Sequence, residues 1–237
     1  MTSGDHRDRV AQLVAEFGPD LGRLCDACVA GLPGVGGAGM AVMTTLPAQQ
    51  IRYTSDAVSA RVEDLQVVLG EGPCKEAFAA RRPVLVEDLD DQLWTSRWPV
   101  FAPAAISAGA RALFALPLRV GAICLGVIDL YRPGPGRLTG DDLAEALAFA
   151  DAATELLLAE QMPGGQVPGS AGLYAHRAVV HQATGMISAQ LQVPIPAAFL
   201  RLRAQAYVTE RGLDEVAADV VARRLRFTEA DNDDQLY

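Results

Sequence analysis

The chain has 237 residues, half of them apolar and about a fifth charged, with a formal charge of −9. That length allows one large domain or two small ones with full cores, and the composition is that of a soluble globular protein. Apolar runs are broken by Arg, Asp, Gly or Pro before a membrane span is reached, and four cysteines do not make a disulfide framework. No basic stretch followed by an apolar core opens the chain, so no signal peptide is read and a cytoplasmic location with no membrane partner is expected.

Residues from Asp5 to Leu32 predict a helix, because Val10, Leu13, Val14, Phe17, Leu21, Leu24 and Cys28 recur at helical spacing. Gly18-Pro19 is a candidate kink or split. Cys25 and Cys28 form a C-x-x-C on a helix face, without a second pair for zinc or a preceding strand for a redox motif, so a structural role is expected. The glycine-rich run 34–39 lacks the Gly-Lys-Ser/Thr ending of a phosphate loop and feeds a strand, Ala38 to Leu46. A turn at Pro47 leads to a hairpin partner at Ile51 to Thr54.

Helical spacing returns from Ala57 to Leu69, and a Gly/Pro turn then opens a short helix through Cys74 and Phe78. Val84 to Leu89 predicts a strand, and Trp94 to Ala108 is a mixed, aromatic stretch. Ala110 to Val120 and Ile123 to Tyr131 predict two long strands joined at Gly121. A helix is expected from Asp141 to about Gln161. The order of elements gives an α+β fold in which an antiparallel sheet is packed with helices. Residues 163–172 have no charge and no apolar period and predict a linker.

Three further helices are expected between Leu173 and Phe227. Val179, Val180, Ala183, Met186, Ile187 and Leu191 make the first stripe, and Phe199, Leu202 and Ala206 the second. Leu213, Val216, Ala217, Val220 and Val221 make the third, with Pro196 at the second helix's first turn, Gly212 a candidate stop and Asp214 a candidate cap. Between Ala171 and Thr228, seven arginines face four acids, a balance of +3 in an otherwise acidic chain. Residues 229–237 form an acidic tail.

The ordered pieces Val180 to Met186 (VHQATGM), Ala198 to Ala204 (AFLRLRA) and Leu213 to Val221 (LDEVAADVV) resemble the ANTAR family of RNA-binding transcription antitermination regulators. The resemblance implies binding to mRNA carrying paired hairpins, and two hairpins per target imply a homodimer. Thr184 stands where many members have Lys, and Glu210 and Gly212 where many have Asn and a basic residue. His181, Gln182, Thr184 and Gly185 of the first-helix motif, with Arg177, Arg201, Arg203, Tyr207 and Arg211, are the candidate RNA-binding residues. Single-stranded loops are read by such arginine and aromatic groups.

Residues 5–162 resemble the GAF family of small-molecule sensing domains, most specifically in Leu69 to Phe78 (LGEGPCKEAF) followed by Pro83 to Asp88. The expected organisation is thus a sensor domain at 5–162, a linker at 163–172, an RNA-binding domain at 173–228 and a tail. A GAF-like pocket suggests Tyr53, Cys74, Phe78, Trp94, Trp98, Phe101 and Phe114 as residues lining a site for an unknown small ligand. Plain core packing is the alternative for each. Cys74 lies near a helix N-terminus and beside Lys75, two features that lower a thiol pKa and suit redox sensing. No His lies between His6 and His176 to activate it, so the chain is expected not to be an enzyme. No cofactor is implied and no metal-ligand set is read. The rival readings are an adaptor whose three-helix end docks a protein and a thiol enzyme using Cys74.

Overall fold

The computed structural model describes residues 3–43, 49–160, 170–209 and 211–228, with the side chains of 170–178 outside that set. The expected linker is therefore largely outside the described residues, as are Glu210, the acidic tail and the stretch 44–48 that holds the end of the first expected strand. The chain divides into two compact units, one built on the sheet and the other on the last three helices.

The first unit opens with α1 (Ser3–Phe17) and α2 (Leu21–Gly31) rather than one long helix. The break falls at the cis Gly18-Pro19 bond. Pro19 supplies no N–H to continue the ladder, and Asp20 restarts the helix by accepting from the Arg23 backbone N–H at 3.1 Å. Strands β1 (Gly37–Met43) and β2 (Gln49–Thr54) follow, then α3 (Ala57–Leu69) and α4 (Pro73–Ala80). Next come β3 (Val84–Val86), the short helices α5 (Gln92–Arg97) and α6 (Phe101–Ala108), and the long strands β4 (Ala112–Val120) and β5 (Ile123–Arg132). The unit closes with α7 (Gly140–Glu160). The aromatic stretch 94–108 is thus two helices, the second entered where Glu71 accepts from the N–H groups of Val100 and Phe101 at 3.1 and 2.8 Å.

The five strands form one antiparallel sheet in the order β2-β1-β5-β4-β3. Strand alternation sends Phe114, Leu116, Leu118, Ile128, Leu130, Ala38 and Met40 to one face, where α1, α2 and α7 bury them. The opposite face carries Gly37, Gly39, Asp129 and Tyr131 and faces α3 and α4. Both faces are covered, so the central strands read as continuous buried runs rather than as alternating ones.

Helix α3 starts with a capping box: Asp56 accepts from the Ser59 N–H at 2.7 Å, and Ser59 Oγ accepts from the Asp56 N–H at 3.1 Å. Tyr131 Oη also donates to Asp56, at 2.6 Å, tying the cap to β5. Asp56→Ala is expected to lower stability by about 1–2 kcal/mol, read as a lower urea midpoint with an unchanged slope.

In the second unit α8 (Ser170–Leu191), α9 (Ile195–Val208) and α10 (Leu213–Val221) pack through Ala183 and Ile187, then Phe199, Leu202 and Ala206, then Leu213, Val216 and Val220. Gly212, not Asp214, occupies the N-cap of α10, and no side chain bonds that cap. Among the described residues, no helix is long and apolar enough to cross a membrane.

Candidate functional site

The sheet face toward α3 and α4 buries a polar cluster around Asp129. In β5, Asp129 stands opposite Gly39 on one side and Ala115 on the other, and these small neighbours leave room above it. Glu63 and Gln66 of α3, three residues apart on one face of the helix, descend into that room. Gly39 is needed for this approach, because a Cβ there would lie 2.4 Å from Glu63 Oε1. Cys74 enters from the first turn of α4, and Gln49 from the start of β2.

A chain of hydrogen bonds fixes the cluster. Gln66 Oε1 accepts from the Cys74 N–H at 2.7 Å, and Gln66 Nε2 donates to Asp129 Oδ2 at 2.8 Å. Gln49 Nε2 donates to Glu63 Oε2 at 3.0 Å and lies 3.4 Å from Cys74 Sγ. Glu63, Gln66 and Cys74 are fully buried, and Asp129 is 4 % exposed. Gln49 Oε1 is buried without a partner, while Glu63 Oε1 and Asp129 Oδ1 have no donor except the one proton the two carboxyls hold between them. Donor atoms of Glu63, Cys74 and Asp129 all lie within 4.8 Å of one another.

Two carboxyl groups this close in a dry interior do not both ionise. Burial and the neighbouring Asp129 push the Glu63 carboxyl well above its ordinary range, and burial raises Asp129 as well. Glu63 is the member that holds the proton more tightly, since Glu63 itself, then Gln66 and Cys74, donate to the ionised form of Asp129. The Cys74 thiol is also pushed well up, first by burial and then by the charges of Asp129 and Glu63. This corrects the expectation of a depressed thiol pKa. Lys75 does act in the expected direction, but burial outweighs it.

The seven residues suggested for a ligand pocket do not converge. Cys74 and Phe78 share one face of α4, four residues apart, with Phe78 half-buried. Trp94, Trp98 and Phe101 pack on each other, the first two stacked at 5.0 Å and the second pair edge-on at 6.2 Å. Phe114 lies in the core on the far side of the sheet, under the Arg132 guanidinium. Tyr53 packs against that same core and donates its hydroxyl to Asp26. Strand parity excludes both from the Cys74 face, because their side chains leave the sheet on the opposite side. Cys25 and Cys28 are buried in that far core, their thiols raised chiefly by burial.

Residue spacing along the chain missed Glu63, Gln66, Gln49 and Asp129. Asp129 carried a signal: an acid inside the run Val127-Ile128-Asp129-Leu130 demands a partner when both faces of the strand are buried.

In the second unit, His181, Gln182 and Gly185 are exposed together on the outer face of α8. Thr184 is not with them. It points into the bundle at 4 % exposure, and its hydroxyl donates to the Val180 carbonyl at 2.7 Å. Its place between Ala183 and Ile187 on the packed face leaves a short side chain no route outward. Tyr207 is 53 % exposed on α9. Arg201 and Arg203 are half-buried, and the Arg177 side chain lies outside the described residues. Arg211 is exposed but engaged, 2.8 Å from Asp219 and 3.6 Å from Glu215. Arg223 and Arg226, outside the candidate set, are exposed as well.

Comparison with known proteins agrees with this architecture. A GAF domain model matches residues 7–157 and an ANTAR domain model matches residues 174–221. No curated protein matches the chain. Among solved structures, the GAF domain of Acinetobacter phosphoenolpyruvate-protein phosphotransferase aligns at 12 % identity and a TM-score of 0.48, covering 68 % of this chain and 96 % of that one. The GAF domain region of a Geobacter sulfurreducens PCA membrane protein aligns at 14 % and 0.47, covering 64 % and 97 %. A type II free methionine-R-sulfoxide reductase from Thermoplasma acidophilum aligns at 14 % and 0.42, covering 61 % and 94 %. Since the first model spans well over half of its residues, the chain belongs to the GAF domain family, and it carries an ANTAR domain after the GAF domain.

Proposed function

We propose that the chain is a signal-responsive, RNA-binding transcription antitermination regulator. A GAF domain joined to an ANTAR domain makes it a signal-sensing regulator. In the finer reading, the ANTAR domain binds mRNA hairpins and the GAF domain governs how it is presented. The observation that carries this reading is Gly185. It sits mid-helix and exposed, and a Cβ added there would meet nothing within 4 Å. The fold gains nothing from a glycine that weakens the helix by about 1 kcal/mol. Close approach of an external backbone, here RNA, supplies a reason. Exposed His181 and Gln182 flank it. Two hairpins per target would take two such domains, so the working species is a homodimer. In this reading the GAF domain serves as a sensor rather than as an enzyme.

Gly185→Ala is the test. It is expected to raise thermal stability by about 1 kcal/mol while weakening binding to a tandem-hairpin RNA by at least about ten-fold. Wild-type affinity should also fall steeply with salt, because phosphate contacts release counterions. Unchanged affinity in Gly185→Ala would remove this face from the contact. The adaptor reading draws support from Leu200, Tyr207 and Val208, exposed at 57, 53 and 66 % on α9. It predicts no salt-dependent RNA binding at all.

A further inference from the structure

In the sheet cluster Gln49 Oε1 has no partner and the Glu63 and Asp129 carboxyls share one proton, all on residues at least nine-tenths buried and beside a buried thiol. One carboxyl proton and one thiol hydrogen are all that hold these electron-pair donors together, and the Gln49 oxygen has neither. A cation among them supplies what they lack. We propose that Cys74 Sγ and one oxygen each from Glu63 and Asp129 bind a single divalent transition ion of the zinc class, with the Gln49 amide oxygen as fourth donor.

The geometry fits. Zinc bonds of about 2.3 Å to sulfur and 2.0–2.2 Å to oxygen require donors roughly 3.5 Å apart in a tetrahedron. The donor atoms of Glu63, Cys74 and Asp129 lie within 4.8 Å of each other, a contraction away from that spacing. Gln49 already directs its amide nitrogen at Glu63 and Cys74, while its own oxygen is unpartnered. Turning the amide over exchanges the two ends and brings the oxygen to the centre. Gln66 acts behind the ligands: it binds Asp129 Oδ2 and the Cys74 N–H, so the Oδ1 oxygen is the one left to bind. The donor set also chooses the ion. A thiolate disfavours magnesium and calcium, and two carboxylates favour a divalent ion over copper(I).

This site stands independently of RNA binding. The test takes the full chain, freed of metal by chelator, and titrates it with cobalt(II) and then zinc. One equivalent of cobalt per chain is expected, with a near-ultraviolet thiolate-to-cobalt band that zinc displaces. Cys74→Ser should abolish the band, and Cys25→Ser should keep it. Glu63→Gln is the decisive variant, because it preserves shape and is expected to fold. It should weaken zinc binding by at least about ten-fold. No thiolate band in the wild-type chain, or unaltered zinc affinity in Glu63→Gln, overturns the proposal.

Discussion

Gly126→Ala is expected to destabilise the GAF domain by about 3 kcal/mol, lowering its melting temperature by roughly 6–12 °C. Gly126 lies in β5 between Val42 of β1 and Leu118 of β4. A Cβ there would fall 2.1 Å from the Ala41 carbonyl oxygen and 3.0 Å from the Val42 Cα. Both are main-chain atoms of a strand held on each side by its neighbours, so no side-chain rotation relieves the clash. The sheet must part locally, at the cost of ladder hydrogen bonds and packing on both covered faces. The backbone angle is not at issue, since Gly126 is not among the glycines with positive φ. Scanning calorimetry of the variant tests this directly. A shift under about 2 °C would mean that the strands tolerate a wider separation than the carbonyl contact allows.

The same contrast between main-chain and side-chain constraints explains how much the sequence disclosed. Element types were legible wherever a period and a boundary coincided, as in α3, with the Gly/Pro turn from Gly70 behind it, or in the β4-β5 hairpin at Gly121. The split between α1 and α2 was signalled by Pro19, but an apolar spacing that runs on through it concealed the change of direction. The sheet cluster was not legible, because it depends on strand register. Asp129 meets Gly39 only when β1 pairs with β5, and Glu63 reaches Asp129 only when α3 crosses that face. Aromatic residues drew attention by size, yet Phe114 and Tyr53 leave the sheet on the wrong side by strand parity alone. The reading of Cys74 failed for a different reason. A helix N-terminus and an adjacent Lys are local features visible in sequence, whereas the burial that overrides them is tertiary.

That burial gives the cluster its largest measurable signature. In metal-free protein at pH 7.5, Glu63→Gln is expected to be more stable than the wild type by about 1–2 kcal/mol. The Gln amide would still accept from Gln49 through its oxygen, and its NH2 group would donate toward Asp129 Oδ1, replacing the shared proton with a permanent donor. The sign follows from linkage. Glu63 has a folded pKa raised above its unfolded value, so its stabilising contribution is fully present below the ordinary carboxylate pKa of about 4.3 and is lost as pH rises through the raised one. Asp129, also raised, adds in the same direction. Wild-type stability should therefore decline relative to the variant as pH rises above the ordinary carboxylate range, and the variant's own profile is flatter. Urea unfolding in the presence of chelator at several pH values measures both curves. A variant less stable than the wild type at pH 7.5, with the same pH slope, would show that the two carboxyls do not share a proton. The substitution that strengthens the empty cluster is also the one that removes a metal ligand, so stability and zinc affinity should move in opposite directions at one atom. That opposition separates a binding site from a merely well-packed polar core, in which Glu63→Gln would alter stability and leave ion binding untouched.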